Sequence, residues 1–303
     1  MTKAELLEHA EGLGLSGVGV CDPAARAHSV FFAAWLERGN HGTMDWMARN
    51  TELRGDPLRL MPSAKSIVMV SLNYDQPLDH RTGHPKIARY ALGRDYHKVL
   101  KSKLKKLGAR LGGEWRACVD SAPLLEREYA HLAGLGWFGK NSCLIDSRRG
   151  SYFFLGALLS DRWIERDRPS LGGCGTCTRC IDACPTGAIV FADERWQVDS
   201  RRCISYLTIE HRGPLDPSVD LHGWTFGCDV CQEVCPFNEP RSSQPLRGQV
   251  TAEPDLLTSR KWPSLDELAQ IDQDAWDRLT AGSATRRAGI EGLRRNARRN
   301  LEI

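Results

Sequence analysis

The stretch "CGTCTRCIDACP", residues 174–185, decides how this chain is read. Four cysteines, Cys174, Cys177, Cys180 and Cys184, follow the spacing C-x2-C-x2-C-x3-C and close on a proline. That run is the ligand pattern of bacterial ferredoxins, in which three thiolates bind one 4Fe-4S cluster and the fourth crosses to a second. A complete pair of clusters needs four more ligands. "FGCDVCQEVCPFN" supplies Cys228, Cys231 and Cys235, again ending on Cys-Pro, and "RRCISYL" supplies Cys203. The crossed arrangement assigns Cys174, Cys177, Cys180 and Cys235 to the first cluster and Cys184, Cys203, Cys228 and Cys231 to the second. Cys203 lies well before its triplet, so the second site is a ferredoxin motif with one ligand displaced. Two zinc sites are the competing reading of paired CxxC motifs. The Cys-Pro endings and the third and fourth cysteines within one loop oppose zinc. Cys21, Cys118 and Cys143 fall on apolar stretches, where a thiol serves as a small core residue.

Outside the cysteines the chain is ordinary. Of its 303 residues 41% are hydrophobic and 26% charged, a soluble globular composition, and its length suits more than one domain. No apolar run approaches the ~20 residues that span a bilayer, and "MTKAELLEHAEGLG" reads as an amphipathic helix, not an export signal. These features predict a cytoplasmic protein with no membrane partner, in which clustered cysteines ligate metal instead of forming disulfides. A net charge of +3 excludes a strongly basic nucleic-acid binder. Six arginines nevertheless crowd residues 285–303 against two glutamates, and Arg294, Arg295 and Arg298 become candidate phosphate contacts. A solvated helix explains the same run.

Helix and strand patterns alternate through the first half: a helix over residues 3–11, the strand "GVGVC", a helix near 31–37 and the strand "SIVMVSLNY". A Lys-rich helix, the strand "WRACVD", a helix from about residue 122 and the apolar "SYFFLGALLS" follow. The alternation predicts a layered α/β domain. Val99, Leu100, Leu104, Leu107 and Leu111 recur at helical spacing, so the lysines between them face water. The pattern breaks near "RDRPSLGG". We expect an α/β domain over residues 1–165, a two-cluster domain over 166–245, and a helical segment with a basic tail over 246–303, with short helices at 264–268 and 273–279.

Two motifs invite other readings. "GLGWFGKNS", from Gly134, imitates a phosphate loop, but a helix precedes it where the fingerprint needs a strand. A nucleotide site is not expected, although Lys140 is placed to contact a different cofactor. Asp120 follows the strand "WRACV" in "VDSAPLLER", and local chemistry favours a helix N-cap with Pro123 in the first turn. The end of a strand is also where layered sheets carry catalytic groups.

Taken together, "LRGDPLRLMPSAKSIVMV", "IARYALGRDYHKVL", "VDSAPLLEREYAHLAGLGWFGKNSCLI", "GSYFFLG" and the cysteine runs resemble the epoxyqueuosine reductase family from about residue 54 to residue 238. The resemblance implies a nitroreductase-like, cobalamin-binding domain of mixed α+β/α/β class joined to a two-cluster ferredoxin domain. It implies reduction of epoxyqueuosine to queuosine at the tRNA wobble position, the last step of queuosine synthesis. It further implies that Asp120 donates a proton, and that Arg54, Leu144, Leu155, Ser205 and Asp229 line the corrinoid, several through the backbone. His211 and Arg212 fall in a loop expected near the tRNA. The corrinoid signature D-x-H-x-x-G is absent, in keeping with family members that hold cobalamin without a histidine on cobalt. A low-potential electron donor and a monomer complete the expectation. The alternatives are a small-molecule corrinoid reductase similar to reductive dehalogenases, and a ferredoxin-type electron carrier.

Overall fold

The computed structural model describes residues 2–24, 28–78, 81–258 and 260–302. Among these residues ten strands form: β1 (Gly17–Cys21), β2 (Ser66–Asn73), β3 (Lys86–Ile87), β4 (Trp115–Cys118), β5 (Trp137–Phe138), β6 (Leu144–Ile145), β7 (Phe153–Ser160), β8 (Ile189–Ala192), β9 (Arg195–Val198) and β10 (Trp224–Phe226). The main sheet has the order β1-β2-β7-β4, and every neighbouring pair is antiparallel, with Val68 opposite Leu158. The mixed α and β composition is as expected. The alternating sequence pattern, which also suits parallel crossovers, folds instead into an antiparallel sheet, which places the chain nearer the α+β class.

β2 reads as an unbroken apolar run because both of its faces are covered. Val68, Val70 and Leu72 point to Leu100, Leu104 and Leu107 of the helix Tyr96–Leu111, while Ile67 and Met69 point to Tyr129 and Ala130 of the helix Glu126–Leu132. Leu100, Leu104 and Leu107 are fully buried, each contributing about 1.5–3 kcal/mol of apolar burial. Lys98, Lys101, Lys105 and Lys106 of the same helix face water, and Lys103 pairs with Glu253. A Cβ on Gly19 would lie 1.9 Å from the carbonyl oxygen of Ala133, so a side chain there would push the end of the helix Glu126–Leu132 off β1.

The cysteine-bearing half is built from short pieces. The helices Arg179–Asp182 and Val230–Glu233 each carry one of the two cysteine runs, and β8 and β9 form an antiparallel hairpin. β3 pairs in parallel with β10, Lys86 beside Trp224, and so joins the first half to the second. The helices Leu265–Ala269, Gln273–Thr280 and Gly289–Leu301 then pack Leu268, Trp276, Leu293 and Ala297 against Ile87, Ala91 and Phe226. The arginine-rich helix is therefore seated on a core through one face. Among the described residues no helix is long and apolar enough to cross a membrane.

Candidate functional site

Asp120 is not the N-cap that its local sequence suggests. The helix begins at Glu126, with Leu125 at the cap and no side-chain cap bond, and Asp120 itself adopts a left-handed φ of 51° instead of the extended conformation of an N-cap. An aspartate tolerates that conformation at a cost, and such strain collects at functional positions. Its backbone N–H donates to Glu126 Oε1 at 2.8 Å, and its Oδ2 lies 3.0 Å from His97 Nε2. The other ring nitrogen, Nδ1, lies 2.7 Å from Asp95 Oδ1. Asp95 caps the helix Tyr96–Leu111 by accepting the His97 backbone N–H. The imidazole is thus pinned from the first turn of the helix Tyr96–Leu111, between two carboxylates.

The electrostatics follow from that geometry. Burial pulls the Asp120 carboxyl upward, but hydrogen bonds from His97 and Tyr96 and the charges of His97 and Arg287 outweigh it, leaving Asp120 below its ordinary value. Burial opposes the His97 imidazolium, yet Asp120 and Asp95 carry it up to about 9. Glu126, sequestered and beside the Asp120 charge, is pushed up to about 8. The Asp120 side chain keeps 56% of its surface exposed, so its carboxylate is open to a substrate. Nearby, Arg54 is buried with its guanidinium over Phe32 and Trp46, and Arg287 lies over Trp46 while gripping Glu210 at 2.9 and 2.8 Å.

The thiols gather in two sets. Cys174, Cys177, Cys180 and Cys235 ring a small pocket that Lys140, Asn141, Ile145 and Phe237 also line. Burial and the surrounding Cys174, Cys235 and Cys177 sulfurs push the Cys180 thiol up to about 11. In the other set, burial and the Cys203 and Cys184 sulfurs push Cys228 up to about 12, and Cys231 feels Cys203 and Cys228. The structure thus brings Cys174, Cys177, Cys180 and Cys235 together in one place and Cys184, Cys203, Cys228 and Cys231 in another. Thiols held neutral in this way must release their protons when iron binds.

The loop that imitates a phosphate site bridges the two sets. Lys140 Nζ donates to the carbonyls of Gly175 and Cys177 at 2.9 Å each, and Asn141 donates to the Cys231 carbonyl at 3.2 Å. Gly134, with φ of 79°, follows the end of the preceding helix, so no strand feeds the loop. Cys21 and Cys118 are buried as expected, but Cys143 is not a plain core thiol: it is only half-buried and neighbours Cys231. Sequence spacing missed it because Cys143 belongs to no cysteine motif.

Comparison with known proteins follows the same division. The family described as "Epoxyqueuosine reductase QueG" matches residues 54–121, and the "4Fe-4S double cluster binding domain" matches residues 173–238. The chain is 42% identical to the epoxyqueuosine reductase of Vibrio cholerae serotype O1, over 94% of this chain and 78% of that protein. This chain belongs to the epoxyqueuosine reductase family. It is also 39% identical to the epoxyqueuosine reductase of Gloeobacter violaceus, over 99% of this chain and 96% of that protein. The structure of epoxyqueuosine reductase from Streptococcus thermophilus superposes with a TM-score of 0.85 at 29% identity, over 99% of this chain and 80% of that one. A crystal structure of epoxyqueuosine reductase with an epoxyqueuosine-modified tRNA-Tyr stem loop gives 0.84 at 28% identity, with the same coverage.

As an epoxyqueuosine reductase family member the chain takes two 4Fe-4S clusters and cobalamin as cofactors, and the zinc reading falls away. Its residues fit the corrinoid. Arg54 Nε and Trp46 Nε1 are buried donors without a protein partner, set among the flat faces of Phe32 and Trp46. Unpaired buried donors beside aromatic walls suit a broad macrocycle fringed with amide carbonyls. Two of the expected corrinoid neighbours adjoin cysteines of the second set in the chain, Ser205 two residues past Cys203 and Asp229 directly after Cys228, while Leu144 follows Cys143. Leu155 lies on β7 opposite Ser71. The Asp229 side chain is already engaged, accepting the Arg89 backbone N–H at 2.8 Å and its guanidinium at 3.2 Å.

The basic residues divide by what they hold. Arg295 donates to the carbonyls of Leu207, His211 and Gly213, and Arg212 donates to those of Ile209 and Arg287. His211 Nε2 lies 3.0 Å from the Pro214 carbonyl, and Arg294 binds the Ile271 carbonyl and Glu291. Arg298 is exposed. The arginine run thus clamps the loop at His211 as much as it offers charge to solvent.

Proposed function

We infer that this chain reduces epoxyqueuosine to queuosine on tRNA. The observation that carries the reading is that one chain matches epoxyqueuosine reductases at 42% identity across both the Asp120 half and the thiol half. When bound, the clusters deliver electrons singly and cobalamin presents a strongly reducing centre to the epoxide. Two electrons and two protons remove the oxygen as water, both carbon–oxygen bonds break, and a carbon–carbon double bond remains. The chain's own residues do the rest: the eight cysteines hold the clusters, Arg54 and Trp46 offer donors to the macrocycle, and Asp120 protonates the departing oxygen. That oxygen cannot leave as oxide, and a positioned acid contributes about 10²–10⁴-fold.

The reduced, reconstituted chain incubated anaerobically with tRNA carrying epoxyqueuosine tests the reading. Nucleoside mass spectrometry should show loss of one oxygen. An unchanged nucleoside, with both clusters and cobalamin in place, overturns it.

The tRNA surface is proposed to include His211, Arg212, Arg294, Arg295 and the exposed Arg298, supported by the Arg295 clamp on the loop at His211. A low-potential donor in the cytoplasm is proposed to feed the first cluster, and a monomer to act on the tRNA. Residues 1–165, 166–245 and 246–303 serve as working units, joined at β3 and β10.

A further inference from the structure

The reduction inferred above consumes two protons, and a single carboxyl holds at most one. Asp120 is poorly equipped to hold even that one, because its Oδ2 faces the His97 ring at 3.0 Å, and that pairing holds its carboxyl below the ordinary value. We propose that His97 is the proton reservoir of this site: its Nε2 proton passes to Asp120 Oδ2 as Asp120 protonates the departing oxygen, with Asp95 on Nδ1 fixing the ring. The proposal rests on the reduction reading and adds the source of its protons.

The geometry suits a reservoir. The ring stacks on Tyr96 with centroids 4.1 Å apart, and Tyr96 stacks in turn on Phe154 at 4.1 Å, so its aim at Asp120 is held by packing. Asp95 occupies the other nitrogen and leaves Nε2 a single partner. About a third of the His97 side chain remains exposed, so water recharges it between the two deliveries. Each delivery leaves a neutral imidazole that takes one proton from solvent. Two such cycles supply both protons, while the clusters supply both electrons.

The groups facing this pair are Asp95 and Tyr96 on its own helix, Asp120 and Glu126 after β4, Tyr90, Arg54 and Arg287. Their sum keeps His97 charged up to about 9. Turnover should therefore hold level through neutral pH and fall as pH rises through that value.

His97→Gln in the holoenzyme tests the proposal, with cluster EPR and cobalamin absorption matching wild type. Turnover on an epoxyqueuosine stem loop should drop about 10–100-fold at neutral pH. It should recover as pH is lowered toward the range where Asp120 protonates by itself. Asp95→Asn, which keeps the ring, should move the alkaline limb to lower pH. Independently, NMR titration of labelled histidines should place His97 near 9 in the wild type and lower in Asp120→Asn. A His97→Gln enzyme with wild-type rate and pH profile overturns the proposal, as does a His97 titrating near the ordinary ~6.5. A wild-type holoenzyme that leaves epoxyqueuosine intact breaks the function reading instead, and the titration then decides the proton pair by itself.

Discussion

Beneath the main sheet Val68, Leu100, Leu104 and Leu107 close a core that draws nothing from outside the chain, whereas the packing around the first set of thiols is thin. There Trp137, Ile145 and Cys235 form a small cluster with only Cys174 and Phe237 beside it. The first region is stabilised by apolar burial, the second by ligand bonds that form when iron enters. The lesson is one of separable failure. Damage to the sheet should show in thermal stability, damage to the thiol loops in iron content, and damage at Asp120 in neither.

The largest effect should come from Asp120→Asn, with turnover falling about 10²–10⁴-fold while melting temperature and iron content stay level. Retained turnover would remove Asp120 from the chemistry. Cys228→Ala should cost one cluster, lowering bound iron by about half, while far-ultraviolet circular dichroism still reports a folded sheet. Collapse of the whole signal would mean that the two regions are not separable. Leu104→Ala should do the reverse, costing about 2–5 kcal/mol in denaturant titration with iron retained.

A subtler contrast lies in pH. Glu126 is raised from 4.5 to about 8 in the folded chain, so its contribution to stability is complete below 4.5 and is lost as pH rises through 8. Glu126→Gln should flatten that part of the melting-temperature profile without touching iron content. Smallest of all, Arg298→Ala should lower the salt dependence of tRNA binding by about one ion, leaving the clusters and the melt unchanged.

How much of this was legible depended on how local the determining force is. The thiol sets were readable because four ligands on one cluster fix their own spacing, so Cys184 and Cys235 could be crossed on paper. β2 and the Lys-rich helix were readable because burial writes a period into the sequence. The conformation of Asp120 was not, since capping rules look only a few residues ahead, whereas its partner His97 lies 23 positions upstream on another element. The work of Arg295 was hidden for the same reason. Its charge suggested phosphate, and only the folded chain brings the carbonyls of Leu207, His211 and Gly213 within its reach. Cys143 shows the converse: it lacks a motif, and its thiol still finds Cys231.

Lys140 and Asn141, neighbours on one loop, each grip a different thiol loop. Mechanically, that makes the two clusters a single rigid body hung from one strap. Asp120 is suspended separately, by His97 and Glu126. With Asp120 as the proposed acid, displacing it would change when protons arrive without altering how far electrons must tunnel, so one delivery can be timed while the other stays at fixed range.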